Sequence, residues 1–169
     1  YDDLDISIIK QMPKDRQKII TKIVNQDERY QVYELARAEI KQGRQVFVIC
    51  PLIDPFGSAQ DKPDDMLGVK SVKQEYDKLK DSIFPEFKIG MLHGKLKPQA
   101  KNQVMQEFVD NQINILVATS VIEVGIDVPN ATVMMIEDAD HFGLAQLHQY
   151  RGRVGRGEYQ SSCFLLSDN

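Results

Sequence analysis

Short apolar runs, separated by segments with helical periodicity, constrain what this chain can fold into more than any other feature. The five runs are Val46–Cys50, Ile89–Leu92, Ile113–Ala118, Thr132–Ile136 and Cys163–Leu166. A strand that helices cover on both faces is apolar at every position, so such runs indicate strands of a buried sheet. Strands that alternate with helices predict a doubly wound α/β fold, with a mostly parallel sheet and helices on both faces.

Three intervening segments carry apolar residues at helical spacing. Their apolar positions are Val32, Leu35, Ala36 and Ile40; Val69, Val72, Tyr76, Leu79 and Ile83; and Ala100, Val104 and Phe108. Gly43 is placed to end the first helix, and Pro98 suits the first turn of the third. Asp27 and Glu28 open the first helix, where acidic side chains favour the helix dipole. Apolar and polar residues alternate weakly over residues 19–24, which predicts an extra edge strand.

Length and charge exclude several classes of protein. A chain of 169 residues suits one domain with a hydrophobic core. None of its apolar runs approaches the roughly 20 residues of a membrane span. With 21 Lys and Arg against 25 Asp and Glu, the net charge is −4, so any contact with nucleic acid must come from a local patch. The start resembles no signal peptide and lacks an initiator Met, which predicts a piece of a longer protein.

No combination of cysteines, histidines and carboxylates has the spacing of a metal site. Cys50 and Cys163 lie in strand-like runs without CxxC spacing, which predicts buried, reduced thiols. Residues 54–68 contain two prolines, two glycines and several carboxylates, as is typical of a mobile surface loop. The aspartates of this loop are expected to be solvated charges and not metal ligands.

The stretch after the third apolar run has the features of a phosphate-binding helix start. Ser120 and Glu123 have the spacing of a capping box, and a helix N-terminus beside the hydroxyls of Thr119 and Ser120 can hold a phosphate group. Gly125 permits a tight turn, and Asp127 offers a carboxylate to a ribose hydroxyl. A capped helix with a solvated aspartate explains the same residues, and both interpretations stay open.

Basic residues cluster near the end of the chain. Arg151, Arg153 and Arg156 crowd a span with three glycines, and guanidinium groups held so close together usually await an anion. The alternatives are a solvated basic turn or salt bridges to the acidic residues at 137, 138 and 140.

A second basic group follows the strand Ile89–Leu92. His93 and Gly94 end the strand and Lys95 follows, which favours a contact with a backbone phosphate of nucleic acid. For His93 an ordinary polar cap is the alternative. The sequence contains neither a G-x-x-x-x-G-K-[ST] phosphate loop nor a recognisable nucleophile with its base.

Together these stretches resemble the motifs of superfamily 2 helicases. The pattern Q-x-x-G-R-x-x-R from Gln149 to Arg156 looks like motif VI, and residues 118–129 look like motif V. Residues 46–52 resemble motif IV, and His93-Gly94 resembles the turn that follows it.

Within this superfamily the resemblance narrows further. The run from Ala118 to Gly157 is similar to the RecG family of bacterial branch-migration helicases and to the transcription-repair coupling factors. The start, residues 3–19, and the segment Leu92–Pro98 favour the RecG family.

The resemblance implies a RecA-like second motor lobe, which agrees with the α/β pattern. ATP and Mg²⁺ would then be bound mainly by a first lobe that precedes this chain. Arg153 and Arg156 would reach the γ-phosphate, with Arg156 as the arginine finger that stabilises transition-state charge. Gln149 would position these arginines, and Gly125 and Asp127 would lie near the sugar of the nucleotide.

The resemblance also implies a DNA track that grips without reading sequence. Thr119 and Ser120, with His93, Gly94 and Lys95, would hold phosphates of one strand. The implied partners are branched DNA (forks and Holliday junctions) and the N-terminal motor lobe and wedge domain of the same protein. The whole protein would reverse forks and migrate junctions in DNA repair and recombination.

The chain itself is expected to be a single lobe over residues 1–169, monomeric, located in the bacterial cytoplasm and inactive as an ATPase alone. Two alternatives stay open. One is the translocase lobe of a transcription-repair coupling factor. The other is a module that binds anions or nucleic acid without catalysis.

Overall fold

The computed structural model describes residues 19–51, 69–119, 128–151 and 159–167. The chain divides into two compact units, the first formed by Tyr1–Val46 and Val124–Asn169 and the second by Phe47–Glu123. None of the helices within the described ranges has the length and apolar character that a bilayer crossing requires. The predicted loop at residues 54–68 lies outside the described residues, and the extent of the single lobe stays a prediction.

The described residues of the first unit form three parallel strands and two α-helices. Its elements are β1 (Ile20–Val24), helix α1 (Arg29–Lys41), β5 (Ala131–Ile136), helix α4 (Leu144–Arg151) and β6 (Ser162–Leu166). Its strand order is β1-β6-β5. Ile20 pairs with Ser162 on one side of β6, and Val133 pairs with Ser162 on the other. The extra edge strand predicted at residues 19–24 is thereby confirmed.

Where the structure describes it, the second unit contains most of β2 (Gln45–Cys50), two further strands and two α-helices. The remaining elements are helix α2 (Val69–Lys78), β3 (Ile89–Leu92), helix α3 (Pro98–Val109) and β4 (Ile115–Thr119). Its strand order is β2-β4-β3, and β3 and β4 are parallel with Ile89 opposite Ile115. The Phe47 ring of β2 meets the Phe108 ring of α3 edge-on at 4.9 Å, which packs the helix onto the strand.

Helix α1 directly follows a short 3-10 turn, Gln26–Glu28, which begins at a capping box that the sequence prediction missed. The Asn25 side chain accepts a hydrogen bond from the Glu28 N–H (3.1 Å), and the Glu28 carboxylate accepts one from the Asn25 N–H (3.3 Å). These two bonds satisfy donors that a helix start leaves without partners. The bond from the Asn25 backbone is the main reason why the pKa of Glu28 lies below its usual value, and Lys22 lowers that pKa further.

The apolar face of α1 is narrower than its sequence suggested. Val32, Ala36 and Ile40 are buried as predicted, but Leu35 is 42% exposed. A rotation of about 100° per residue places Leu35 at the margin of the stripe, on the side away from Ile40. Gly43 follows the helix with a φ of 93°, a left-handed conformation that glycine adopts readily, so the predicted stop is confirmed.

The boundaries of β4 and α2 differ from the prediction. The strand starts at Ile115, and the side chain of Asn114, the residue before it, accepts a hydrogen bond from the N–H of Lys88, the residue before β3. The strand ends at Thr119. Thr119 was predicted to follow the strand, but it is the last residue within it. The helical stripe of α2 continues into a π-helical turn, Leu79–Ile83, in which Leu79 is fully buried.

The two cysteines are free and buried, as predicted for reduced thiols.

Candidate functional site

The register of β3 and β4 brings two predicted DNA-binding stretches to one edge of the second unit. Leu92 lies opposite Ala118, so His93 and Thr119 occupy the next level at the carboxyl ends of the two strands. Carboxyl ends of parallel strands are the usual place for ligand contacts in α/β proteins. Residues 26 positions apart in the sequence thus come together as the resemblance implied, although their role stays a prediction.

His93 and Thr119 are both buried at this edge. His93 is 6% exposed, and its Nδ1 accepts a hydrogen bond from the Lys95 N–H at 3.2 Å, so the neutral ring carries its proton on Nε2. This bond is the polar cap that the sequence allowed as an alternative. Thr119 is fully buried, and no hydrogen-bond partner of its Oγ1 is found among the described residues. A buried hydroxyl in that state is costly, which favours a role in binding.

Lysines follow His93 at this edge, although the chain as a whole is acidic. Residues 93–106 contain Lys95, Lys97 and Lys101 and no Asp or Glu. Lys95 and Lys97 are exposed, and Gly94 between the strand end and Lys95 is partly exposed. We call residues 93–97 with Thr119 the phosphate turn. It supplies the local basic patch that the net charge of −4 requires for a contact with nucleic acid.

Helix α4 leads into the arginine segment, which we define as residues 152–158. Its start is capped by the Gln146 side chain, which accepts a bond from the Gly143 N–H at 3.0 Å. Tyr150 is buried and its ring meets Phe142 edge-on at 5.7 Å, while Gln149 is exposed. Gln149 thus lies on the open face of α4, next to the segment that the resemblance assigns to ATP.

Arg151 corrects the interpretation of the arginine cluster. From the sequence, Arg151 was interpreted together with Arg153 and Arg156 as a cluster that binds an anion. In the structure Arg151 is the last residue of α4, is 2% exposed, and donates from Nη2 to the carbonyl oxygen of Ile19 at 2.9 Å. Its guanidinium group is therefore buried and bonded to the main chain through Nη2, unlike a solvent-exposed basic turn.

Glu137, one of the acidic residues considered as partners for that cluster, is paired with Arg29. The two side chains form a bidentate ion pair, with Nη2–Oε1 at 2.7 Å and Nη1–Oε2 at 3.0 Å. Both are mostly buried, at 15% and 8% exposure, and Arg29 also donates to the Tyr33 hydroxyl. The bond to Glu137 is the main reason why the pKa of Arg29 is raised above its usual value. The pair joins the start of α1 to the residue that follows β5.

Several predicted site residues lie outside the described residues. They are Ser120, Gly125, Asp127, Arg153 and Arg156, together with the predicted capping box at Ser120 and Glu123. Their roles stay predictions.

A cation–π contact that the sequence did not suggest lies beside the arginine segment. The Cζ of Arg44 lies 4.1 Å from the centre of the Tyr159 ring, at the residue that directly follows the arginine segment. Arg44 and Tyr159 are far apart in the sequence, and no local sequence pattern around either residue predicts that they are in contact.

Comparison with known proteins places this geometry in a family. Residues 26–158 match the helicase conserved C-terminal domain. The chain belongs to this family. It is 48% identical over 166 residues to the ATP-dependent DNA helicase RecG of Thermotoga maritima, covering 98% of this chain and 20% of that protein. It is 47% identical over 169 residues to RecG of Synechocystis, covering 100% of this chain and 19% of that protein.

A solved structure of RecG bound to a three-way DNA junction gives the same result. It matches with a TM-score of 0.73 and 42% sequence identity, over 94% of this chain and 19% of that chain. This match confirms the predicted fold class, an α/β helicase lobe with parallel strands, and the predicted similarity to the RecG family. The chain spans about a fifth of the length of these relatives.

Proposed function

We propose that this chain is the second motor lobe of an ATP-dependent DNA helicase that remodels branched DNA in repair and recombination, by fork reversal and branch migration of Holliday junctions. The observation that carries the proposal is the identity of 42–48% to RecG along nearly the whole chain, including a RecG structure on a DNA junction. The phosphate turn supports it independently, because its buried hydroxyl and exposed lysines suit a phosphate group. We place the protein in the bacterial cytoplasm.

In this proposal the second unit contributes to the DNA track. Lys95 attracts a backbone phosphate, and the Thr119 hydroxyl and the exposed Gly94 turn hold it at short range. Ser120 extends the contact along the same strand. Such contacts are made to phosphates and not to bases, so the lobe can move along DNA of any sequence.

The first unit in turn contributes to the ATPase site. Arg153 and Arg156 face the γ-phosphate, Gln149 orients them from α4, and Gly125 and Asp127 contact the sugar. When bound, Mg²⁺ neutralises phosphate charge, and its ligands belong mainly to the first motor lobe. Charge that develops on the transferred phosphoryl group is stabilised by Arg156, which is what an arginine finger does. The remaining partners are the first lobe and a wedge domain that splits the DNA strands.

The purified 169-residue chain is expected to hydrolyse no ATP above background, with or without DNA. The reason is that it contains no phosphate-loop lysine to hold the β- and γ-phosphates. Phosphate release should be measured for the chain and, as the control, for the full-length protein with a fork substrate, which should turn over. DNA-stimulated hydrolysis by the chain alone would contradict this division between two lobes.

DNA binding by the isolated chain should be weak and depend steeply on salt, near the ~10⁻⁴–10⁻⁶ M typical of non-specific binders. Lys95→Ala should weaken binding to all sequences alike and reduce the slope of log K against log salt by about 1. Lys88→Ala is the matched control, since Lys88 lies just before β3 and hence at the opposite end of that strand. Fluorescence anisotropy across a salt series measures both. An equal effect of the two variants would remove Lys95 from the DNA track.

The second candidate is the translocase lobe of a transcription-repair coupling factor, which the similarity of residues 118–157 favours. Displacement of a stalled RNA polymerase by the full-length protein separates the two. If the RecG-type proposal is right, the full-length protein should not displace the polymerase.

A further inference from the structure

His93 and Lys95 belong to the same turn, but their surroundings differ. His93 is 6% exposed, whereas Lys95 is exposed at the surface. A side chain with so little accessible surface offers few atoms to a DNA phosphate, while a surface lysine can reach one. We propose that His93 is a positioning residue, which holds Lys95 in place for its DNA contact and does not itself bind a phosphate. The inference rests on the proposed function of the phosphate turn.

His93 accepts two hydrogen bonds that hold this turn. The Leu96 N–H donates to the His93 carbonyl oxygen at 3.3 Å, which closes a β-turn with Gly94 and Lys95 at its centre. Inside that turn the Lys95 N–H donates to His93 Nδ1 at 3.2 Å. The imidazole thus accepts from the backbone two residues further on, as the side chains of Asn and Asp do in Asx turns. Because this second bond is made to Lys95 itself, it fixes the main chain from which the lysine side chain projects.

The turn is joined to regular structure at both ends. Leu92 ends β3, is fully buried and lies opposite Ala118 of β4, while Pro98 begins α3. Residues 93–97 connect these fixed points, and the bond from Lys95 to the imidazole removes conformational freedom that the connection would otherwise keep. Ordering a flexible side chain opposes binding, so a lysine that starts from a fixed main chain binds a phosphate at a lower entropic cost.

The two ring nitrogens of His93 can be tested separately, because Asn and Gln each reproduce one of them. The Oδ1 of asparagine is bonded to Cγ as Nδ1 is, so His93→Asn keeps an acceptor for the Lys95 N–H. The amide nitrogen of glutamine replaces Nε2–H, so His93→Gln keeps a donor at the outer end of the side chain and lacks the acceptor. Leucine has the branched shape of asparagine without its polar atoms, so His93→Leu removes both functions.

The test measures binding of the full-length helicase to a DNA fork by fluorescence anisotropy across a salt series, at about pH 8, where imidazole groups are normally neutral. His93→Asn should bind like the parent. His93→Gln and His93→Leu should weaken binding about 5-fold and lower the slope of log K against log salt by about 1, as Lys95→Ala does. His141→Asn is the matched control, because His141 is an exposed histidine of the first unit.

The salt slope separates positioning from a purely structural role, because His93 is neutral and its own loss releases no counterion. In a Lys95→Ala background, His93→Leu should lower the slope no further, since the charge that His93 positions is already gone. A further loss of slope in that background would overturn the inference. Circular dichroism checks that each variant is folded, and the Asn and Gln variants decide the question even if His93→Leu fails to fold.

The remaining outcomes are equally distinct. Parent-like binding by His93→Gln with weak binding by His93→Asn would identify a direct contact through Nε2 and overturn the inference, as would equal binding by these two variants. If Lys95→Ala is impaired while His93→Gln is normal, only the positioning role fails. If Lys95→Ala itself binds the fork like the parent, the DNA contact proposed for Lys95 fails, and the positioning role fails with it.

Discussion

Arg156→Ala in the full-length helicase is expected to lower kcat for ATP hydrolysis by roughly 10²-fold or more, because arginine fingers contribute 10³–10⁵ elsewhere. Binding of nucleotide and DNA should change far less, since the charge of the finger matters most when negative charge shifts on the phosphoryl group. Single-turnover hydrolysis measures the effect on the chemical step directly.

The conservative variant separates a finger from a simple positive charge. Arg156→Lys should restore little activity, because an ammonium group cannot reproduce the planar, two-pronged donor. Melting curves serve as the control, and both variants should unfold close to the parent temperature. Near-normal turnover in Arg156→Ala would remove this residue from the catalytic set.

Breaking the mostly buried ion pair between Arg29 and Glu137 should have the largest effect on stability. Glu137→Leu leaves the Arg29 guanidinium mostly buried without its carboxylate, which is expected to lower the free energy of unfolding by about 3 kcal/mol. For a chain of this size the melting temperature should fall by about 6–12 °C. Urea unfolding of the 169-residue chain, followed by circular dichroism, provides the measurement.

Two further variants test the cause. Glu34→Leu removes an exposed partner of Arg37 on the same helix and should change stability by less than about 1 kcal/mol. The double variant Arg29→Leu/Glu137→Leu should recover most of the loss, because an apolar pair removes the unpaired charge. If the double variant is as unstable as Glu137→Leu, shape and not charge explains the effect.

The strands were predictable because a strand that is buried on both faces is apolar at nearly every position. The runs at 46–50, 89–92 and 163–166 reappear almost unchanged as β2, β3 and β6. The prediction for β4 was shifted because Ile113 is buried and apolar but lies before the strand, ahead of Asn114, whose side chain accepts a bond from the Lys88 N–H. Burial is read directly from sequence, whereas strand pairing depends on a partner elsewhere in the chain.

Helix α4 was not predicted, because its buried face does not consist of apolar residues. Its buried positions are Leu147, Tyr150 and Arg151, so a charged and a polar aromatic residue occupy the face that normally shows an apolar stripe. The same arginine was grouped with ligand-binding arginines, since sequence does not distinguish a guanidinium that bonds a main-chain carbonyl from one that awaits an anion.

The candidate site was predictable only in part. The positions of His93 and Thr119 followed from strand ends, and the parallel register of β3 and β4 brought them together as expected. The Asn25–Glu28 capping box was visible in its spacing and could have been found. The Arg29–Glu137 pair joins residues 108 apart, and no local pattern signals such a contact.

The claim that this chain belongs to a motor for branched DNA is tested most directly with a synthetic four-way junction. The full-length protein, ATP and Mg²⁺ are mixed with the labelled junction, and the DNA products are separated on a native gel. We expect conversion of the junction to two duplex products, dependent on ATP hydrolysis and abolished by Arg156→Ala. An intact junction after many turnovers, with hydrolysis stimulated equally by linear duplex, would contradict the account.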